Sequence, residues 1–337
     1  MSVDDEVRAA RRSAALFRLA ERGLVEVRGA DRVRFLQGQL TADVASLDAA
    51  GPRSGCYALA LTPQGRIVVD LHVIARSDSI WLETAAASVP AALARLGKYV
   101  IADDVELADC SAQRARFGIE GPRASELLAV AADSCPELPP DSAAALRIAG
   151  SEVLGAAFGW SGERAFQLFV PRTDESRVAA ALDAAAAACG AARAGAEALE
   201  VLRVEAGIPA AGRELGPDVL PAEARLLERA VSFSKGCYTG QEVVARMESR
   251  GRVGHLLVGL AFEGALPAPG ASLHAGGSRV GAVTSAARSP SAGAIGLGFV
   301  RRGHETPGTP LGVDTALARV VALPFVAGSA LRKGDPA

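Results

Sequence analysis

Two strand-like runs, residues 56–61 and 66–75, are separated only by Thr62-Pro63-Gln64-Gly65. So short a link returns the chain beside itself in the antiparallel sense, because parallel neighbours need a crossover of about a dozen residues. Proline followed by glycine is also the chemistry of a tight turn. This hairpin commits the N-terminal part of the chain to an antiparallel sheet. Residues 24–27 alternate like a half-buried strand, and residues 79–84 and 104–108 read as further strands. Between them, Val33, Leu36 and Leu40 fall on one helical face behind an N-cap at Asp31. A second helix opens at Ser88-Val89-Pro90 and runs through Leu93 and Leu96. Residues 1–110 therefore read as one α+β unit.

A second α+β unit is expected over residues 111–190, with strands at 116–119, 146–149 and 166–170 and helices near 123–130 and 175–188. Residues 191–250 form a return segment that begins with a helix ended by Gly207 and Pro209. From residue 251 to 337 the texture changes to short β runs at 255–262, 279–285 and 294–299, divided by glycine and proline turns. That pattern suits a small β-barrel. No low-complexity linker divides the chain, so the units are expected to pack tightly.

A chain of 337 residues is too long for one ordinary core, and a 50% apolar composition excludes a disordered protein. The formal charge of −2 gives no net pull toward nucleic acid or an anionic membrane. No apolar run is long enough to span a bilayer, and Asp4, Asp5 and Glu6 stand where a signal peptide carries positive charge. The expectation is a soluble, cytoplasmic protein with no direct nucleic-acid or membrane partner. Cys56, Cys110, Cys135, Cys189 and Cys237 are odd in number and scattered, and His72, His255, His274 and His304 are equally dispersed. Neither a disulfide framework nor a self-contained metal or iron–sulfur site is expected.

The segment richest in chemistry is Lys235-Gly236-Cys237-Tyr238-Thr239-Gly240-Gln241-Glu242. Thr239 and Glu242 have the spacing of a capping box, which places Cys237 just ahead of a helix N-terminus and two residues from Lys235. Positive partial charge and an ammonium both favour a reactive or ligand-donating thiolate; a small buried hydrophobe at a domain junction is the plainer alternative. Lys235 is also one of only three lysines, with Lys98 and Lys333, in an arginine-biased chain.

That segment resembles the signature of the YgfZ-type folate-binding proteins, relatives of the glycine-cleavage T-protein. Arg34-Phe35-Leu36-Gln37-Gly38, the Thr62–Gly65 hairpin, Gly159-Trp160-Ser161-Gly162-Glu163 and the barrel glycines extend the likeness over nearly the whole chain. The resemblance implies a three-domain cloverleaf, two ferredoxin-like α+β units and a C-terminal β-barrel, around a central channel that binds tetrahydrofolate. It implies a pterin contact at Glu205, within Arg203-Val204-Glu205-Ala206-Gly207, and a second acidic position at Glu223. A carboxylate in the last turn of a helix is disfavoured by the macrodipole, which is consistent with a partner for Glu205. Trp160 stacks on the pterin or anchors packing. Arg246, Arg250, Arg252, Arg301 and Arg302 are candidates to receive the glutamate tail.

T-proteins carry two adjacent aspartates on the second hairpin strand, whereas Val69 and Asp70 stand here. On a strand, Asp70 and His72 share a face. They either line the folate channel or form the wet side of an exposed hairpin. The replacement by Val69 argues against aminomethyl transfer. The resemblance then implies a tetrahydrofolate-binding accessory protein for iron–sulfur cluster assembly or repair in client enzymes, tRNA-modifying ones included. In that reading Cys237, Lys235 and Asp70 carry the chemistry. Glu205, Glu223, Trp160 and Arg246 hold folate, and iron–sulfur client or assembly proteins are the partners. The alternatives are a folate-dependent aminomethyltransferase and a non-catalytic interaction protein with a decayed channel.

Overall fold

A computed structural model describes residues 1–251, 253–313 and 316–328. The acidic start is a helix terminus. Helix α1 (Val3–Arg12) carries a capping box between Ser2 and Asp5, with acids in its first turn and Arg11 and Arg12 in its last, the polarity a helix dipole favours. Strand β1 (Ala15–Arg18) follows, and the chain then crosses through Leu19 to β2 (Arg22–Arg28). Helix α2 (Arg32–Gln39), β3 (Gly55–Leu61), β4 (Ile67–Ala75), β5 (Ile80–Ala85), α3 (Val89–Gly97) and β6 (Glu106–Asp109) complete the first unit. Its antiparallel sheet has the order β3-β4-β5-β2-β6. The β3–β4 turn closes through Gly65 N–H to Thr62 O at 2.9 Å, with Gly65 at φ +76°. Val25, Val27, Leu71, Val73 and Leu82 on one face bury Phe35 and Leu36 of α2 and Leu96 of α3.

The second sheet is built from β7 (Arg114–Glu120), β8 (Ala143–Ile148), β9 (Ser151–Ala156), β10 (Ala165–Pro171) and β11 (Ala192–Ala194), in the order β11-β1-β7-β10-β9-β8. Helices α4 (Ala124–Ala131) and α5 (Glu175–Ala188) cover one face, packing Leu127, Leu128, Val178 and Leu182 against Phe117, Ile119 and Leu168. One correction concerns the N-terminus. Residues before Leu19, expected in the first unit, supply β1 to the second sheet, pairing antiparallel with β7 and parallel with β11. Four residues carry too little alternation to be read as a strand; the pairing partners, both distant in sequence, define it.

Helix α6 (Ala196–Glu205) stops at Gly207, φ +70°, as its sequence predicts. Short α7 (Leu227–Ala230) and α8 (Gln241–Arg250) precede a closed six-stranded barrel. Its strands are β12 (His255–Glu263), β13 (Ser272–Ala275), β14 (Ser278–Ser289), β15 (Gly293–Arg301), β16 (Pro310–Val313) and β17 (Ala316–Val321), so the α+β layout ending in a barrel is observed. The units pack closely. Leu24, Ile74 and Trp81 of the first sheet meet Ala143, Ala156 and Phe169 of the second. Val201 and Leu202 of α6 join Val7 of α1 to Leu257 and Leu297 of the barrel. Among the described residues no helix is long and apolar enough to cross a membrane.

Candidate functional site between the two sheets

Alternation along β4 separates an apolar from a polar face. Val69, Leu71 and Val73 point into the helix-covered core, and Asp70 and His72 point the other way. In register with His72 are Tyr57 on β3 and Glu83 on β5. The second sheet covers this face, so Asp70 is 9% and His72 4% exposed. The reading of these two as the wet side of a hairpin is thereby corrected: a sheet lies on them.

Glu83, completely buried, organises the layer. Arg22 grips it through Nε to Oε1 at 2.6 Å and Nη2 to Oε2 at 2.9 Å. Arg116 Nη2 adds a bond at 3.2 Å from β7, and His72 Nδ1 lies 3.2 Å from Oε2. Burial by itself would push the Glu83 carboxyl up, but Arg22 and then Arg116 hold it well below the usual carboxylate range. Burial pulls the His72 imidazole down against the attraction of Glu83. A neutral ring whose Nδ1–H donates to a carboxylate presents a lone pair at Nε2. Sequence reasoning missed Glu83, Arg22 and Arg116. The available signal was a glutamate inside the apolar run Ile80-Trp81-Leu82-Glu83.

Aromatic rings wall this layer. Phe158 stacks on His72 with centroids 3.8 Å apart and planes 11° off parallel. Trp160 meets His72 edge-on at 6.2 Å and carries the Arg22 guanidinium 4.6 Å from its centroid. Tyr57 donates its hydroxyl to Asp70 Oδ2 at 3.0 Å. Among the described residues, Asp70 Oδ1, His72 Nε2 and Gln167 Oε1 are buried without a hydrogen-bond partner. Each such atom costs about 1–3 kcal/mol unless something satisfies it. A ligand with N–H donors has the complementary chemistry.

Of the predicted site residues, the structure brings Asp70, His72 and Trp160 into this layer. Glu205 is fully buried elsewhere, between α1 and the barrel. Arg11 Nε donates to its Oε2 at 2.9 Å, Ser289 Oγ donates to Oε1, and Arg11 Nη1 bonds Glu163 at 2.8 Å. Arg11 is thus a partner within the chain for the carboxylate at that helix end. Glu223 accepts the Leu220 N–H at 3.0 Å and lies 3.9 Å from Arg66, as part of a turn. Arg246 is exposed on α8 and Arg301 and Arg302 are exposed at the end of β15, whereas Arg252, Lys333 and the side chain of Arg250 lie outside the described residues.

Lys235 does not serve Cys237. Its Nζ donates to Gln37 O at 2.6 Å, Leu40 O at 2.6 Å and Ala42 O at 2.9 Å, closing the C-terminal end of α2. Burial pulls its ammonium down to about 8, against the attraction of Asp43. The capping box is also absent. Gly240, at φ +89°, is the N-cap of α8, and Glu242 is exposed. A Cβ at Gly240 would come within 2.7 Å of Thr62 O, so the close seat of α8 on the hairpin decides where the helix starts. Cys237 is exposed, on the segment that runs beside α2.

Residues 1–235 match the GCVT N-terminal domain, and residues 256–327 match the glycine cleavage T-protein C-terminal barrel domain. The aminomethyltransferase of Moorella thermoacetica is 31% identical, over 96% of this chain and 89% of that protein. That of Saccharopolyspora erythraea is 32% identical, over 95% and 89%. The crystal structure of glycine cleavage system aminomethyltransferase T from Bartonella henselae superposes with a TM-score of 0.86 at 25% identity, covering 97% of this chain and 90% of that one. This chain belongs to the glycine cleavage T-protein family.

Proposed function

We propose that this protein binds a reduced folate at the layer between the two sheets and acts on the one-carbon unit it carries, as an aminomethyltransferase-type transferase. The observation that carries the reading is the buried, unpartnered Oδ1 of Asp70 beside the unpartnered Nε2 of His72. When bound, the folate supplies the nitrogen to which a one-carbon unit attaches. Asp70 accepts N–H bonds from the ligand and balances developing positive charge. His72, its Nδ1 engaged by Glu83, accepts a proton at Nε2. Val69 lies in the apolar core on the opposite face, so its presence leaves the carboxylate of this layer in place and removes the earlier argument against transfer.

A second reading is a folate-binding accessory protein for iron–sulfur enzymes, as the Lys235 to Glu242 resemblance to YgfZ-type proteins implies. The exposure of Cys237 favours it, since that thiol is open to a partner. Among the described residues no group of three or more His, Cys, Asp or Glu gathers to hold a metal, so a cluster would need ligands from the client. Titration with tetrahydrofolate, run beside a transfer assay with glycine-cleavage components, separates the two. Binding with turnover supports the transferase, binding without turnover supports the accessory role, and absence of binding refutes both.

A further inference from the structure

A cavity of about 310 Å³ opens where the chain crosses twice between the sheets, at Leu19 and Ala20 before β2 and at Ser111 and Ala112 before β7. Arg18, Arg22, Arg114, Arg116 and Arg172 line it, with Glu175 as the one acidic residue in the wall. Junctions of this kind between packed units are preferred ligand sites.

The charges of this wall are not balanced. Glu175 is shared, 2.8 Å from Arg172 and 3.5 Å from Arg18. Glu83, behind the wall, is shared by Arg22 and Arg116. Arg114 has no carboxylate within ion-pairing distance among the described residues, and its guanidinium lies 5.2 Å from the Trp81 centroid. Burial and then the neighbouring Arg76 pull Arg114 down, and burial pulls Arg116 down to about 10, so both cations are held at a cost. Each carboxylate thus answers two guanidiniums and one cation answers to none. A pocket that concentrates like charge in this way is stabilised by an anion.

We propose that this cavity is a recognition site for a small, multiply charged oxyanion, a polycarboxylate or a phosphate ester, read by Arg114 and Arg18, with Arg172 held in the wall by Glu175 and two backbone carbonyls. Guanidiniums offer paired N–H donors that match either group in a bidentate way. Arg22 reaches the cavity from the first sheet and Arg114, Arg116 and Arg172 from the second, so an occupant is held by both units. The cavity shares Arg22 and Arg116 with the layer around Glu83, but its test needs no folate.

Calorimetry on the full chain with citrate and with pyrophosphate tests it. At least one probe is expected to bind saturably, one per chain, with Kd below about 1 mM. Tighter citrate binding identifies a carboxylate ligand, and tighter pyrophosphate binding a phosphate ligand. Arg114→Gln should weaken the bound probe at least tenfold, and Arg18→Glu, at an exposed position, should do the same without affecting folding. Arg34→Gln, on α2 away from the cavity, should leave it unchanged. Binding of neither probe below about 10 mM, or equal binding by wild type, Arg114→Gln and Arg18→Glu, overturns the proposal.

Discussion

Replacing Lys235 by methionine keeps the length of the side chain and removes its ammonium. Three donors to Gln37 O, Leu40 O and Ala42 O, at 2.6, 2.6 and 2.9 Å, are lost together. A hydrogen bond to a charged group contributes about 1.5–3 kcal/mol net, but three that share one charge do not add, and water reaches part of the site. The expected loss is about 3 kcal/mol, which in a chain of this size lowers the midpoint of the first thermal transition by on the order of 5 °C. Lys235→Arg should recover only part of it, because a planar guanidinium does not aim three donors at convergent carbonyls. Scanning calorimetry at neutral pH, where the ammonium is charged, reads the effect. An unchanged midpoint for Lys235→Met, together with lost activity, would refute the structural role and restore a chemical one.

Glu205→Ala should cost about 1–3 kcal/mol of stability by removing the buried acceptor of Arg11 and Ser289, while Arg11 keeps its bond to Glu163; weakened tetrahydrofolate binding at an unchanged melting temperature would instead assign this residue to the ligand. Burial lowers the His72 pKa, so the unfolded chain takes up a proton near pH 6.5 that the folded one refuses. Wild-type stability should therefore fall as pH drops through that value, and a His72→Gln variant with the same slope in urea titrations would count against this. Glu83, lowered from its ordinary 4.5, contributes stability present above that pH and lost below it, so Glu83→Gln should flatten the acid limb. Iodoacetamide should label exposed Cys237 and Cys135 ahead of Cys56, Cys110 and Cys189, read residue by residue by mass spectrometry. Faster labelling of Cys110 than of Cys237 would contradict that order.

Local pattern revealed what is local. The β3–β4 hairpin, helix α5 and the long barrel strands announce themselves through turn chemistry and periodicity. β1 and β11 do not, because strands of four and three residues exist here only through partners distant in sequence. The candidate site was half legible for the same reason. Alternation put Asp70 and His72 on one face, but only the packing of the second sheet shows that this face is buried and that Arg116 reaches Glu83. Lys235 and Glu205 stood out in the sequence, but their partners within the chain did not. Three backbone carbonyls at and just beyond the end of α2, and an arginine of α1, carry no sequence signal near either residue.

Tetrahydrofolate titration of wild type against Asp70→Asn reads the proposed folate site at its carboxylate. Asparagine keeps the shape and an acceptor for Tyr57 while removing the charge. Wild type should bind in the micromolar range, about −8 kcal/mol, and Asp70→Asn at least tenfold more weakly at an unchanged melting temperature. Equal affinity in the two proteins would contradict a folate site between the sheets.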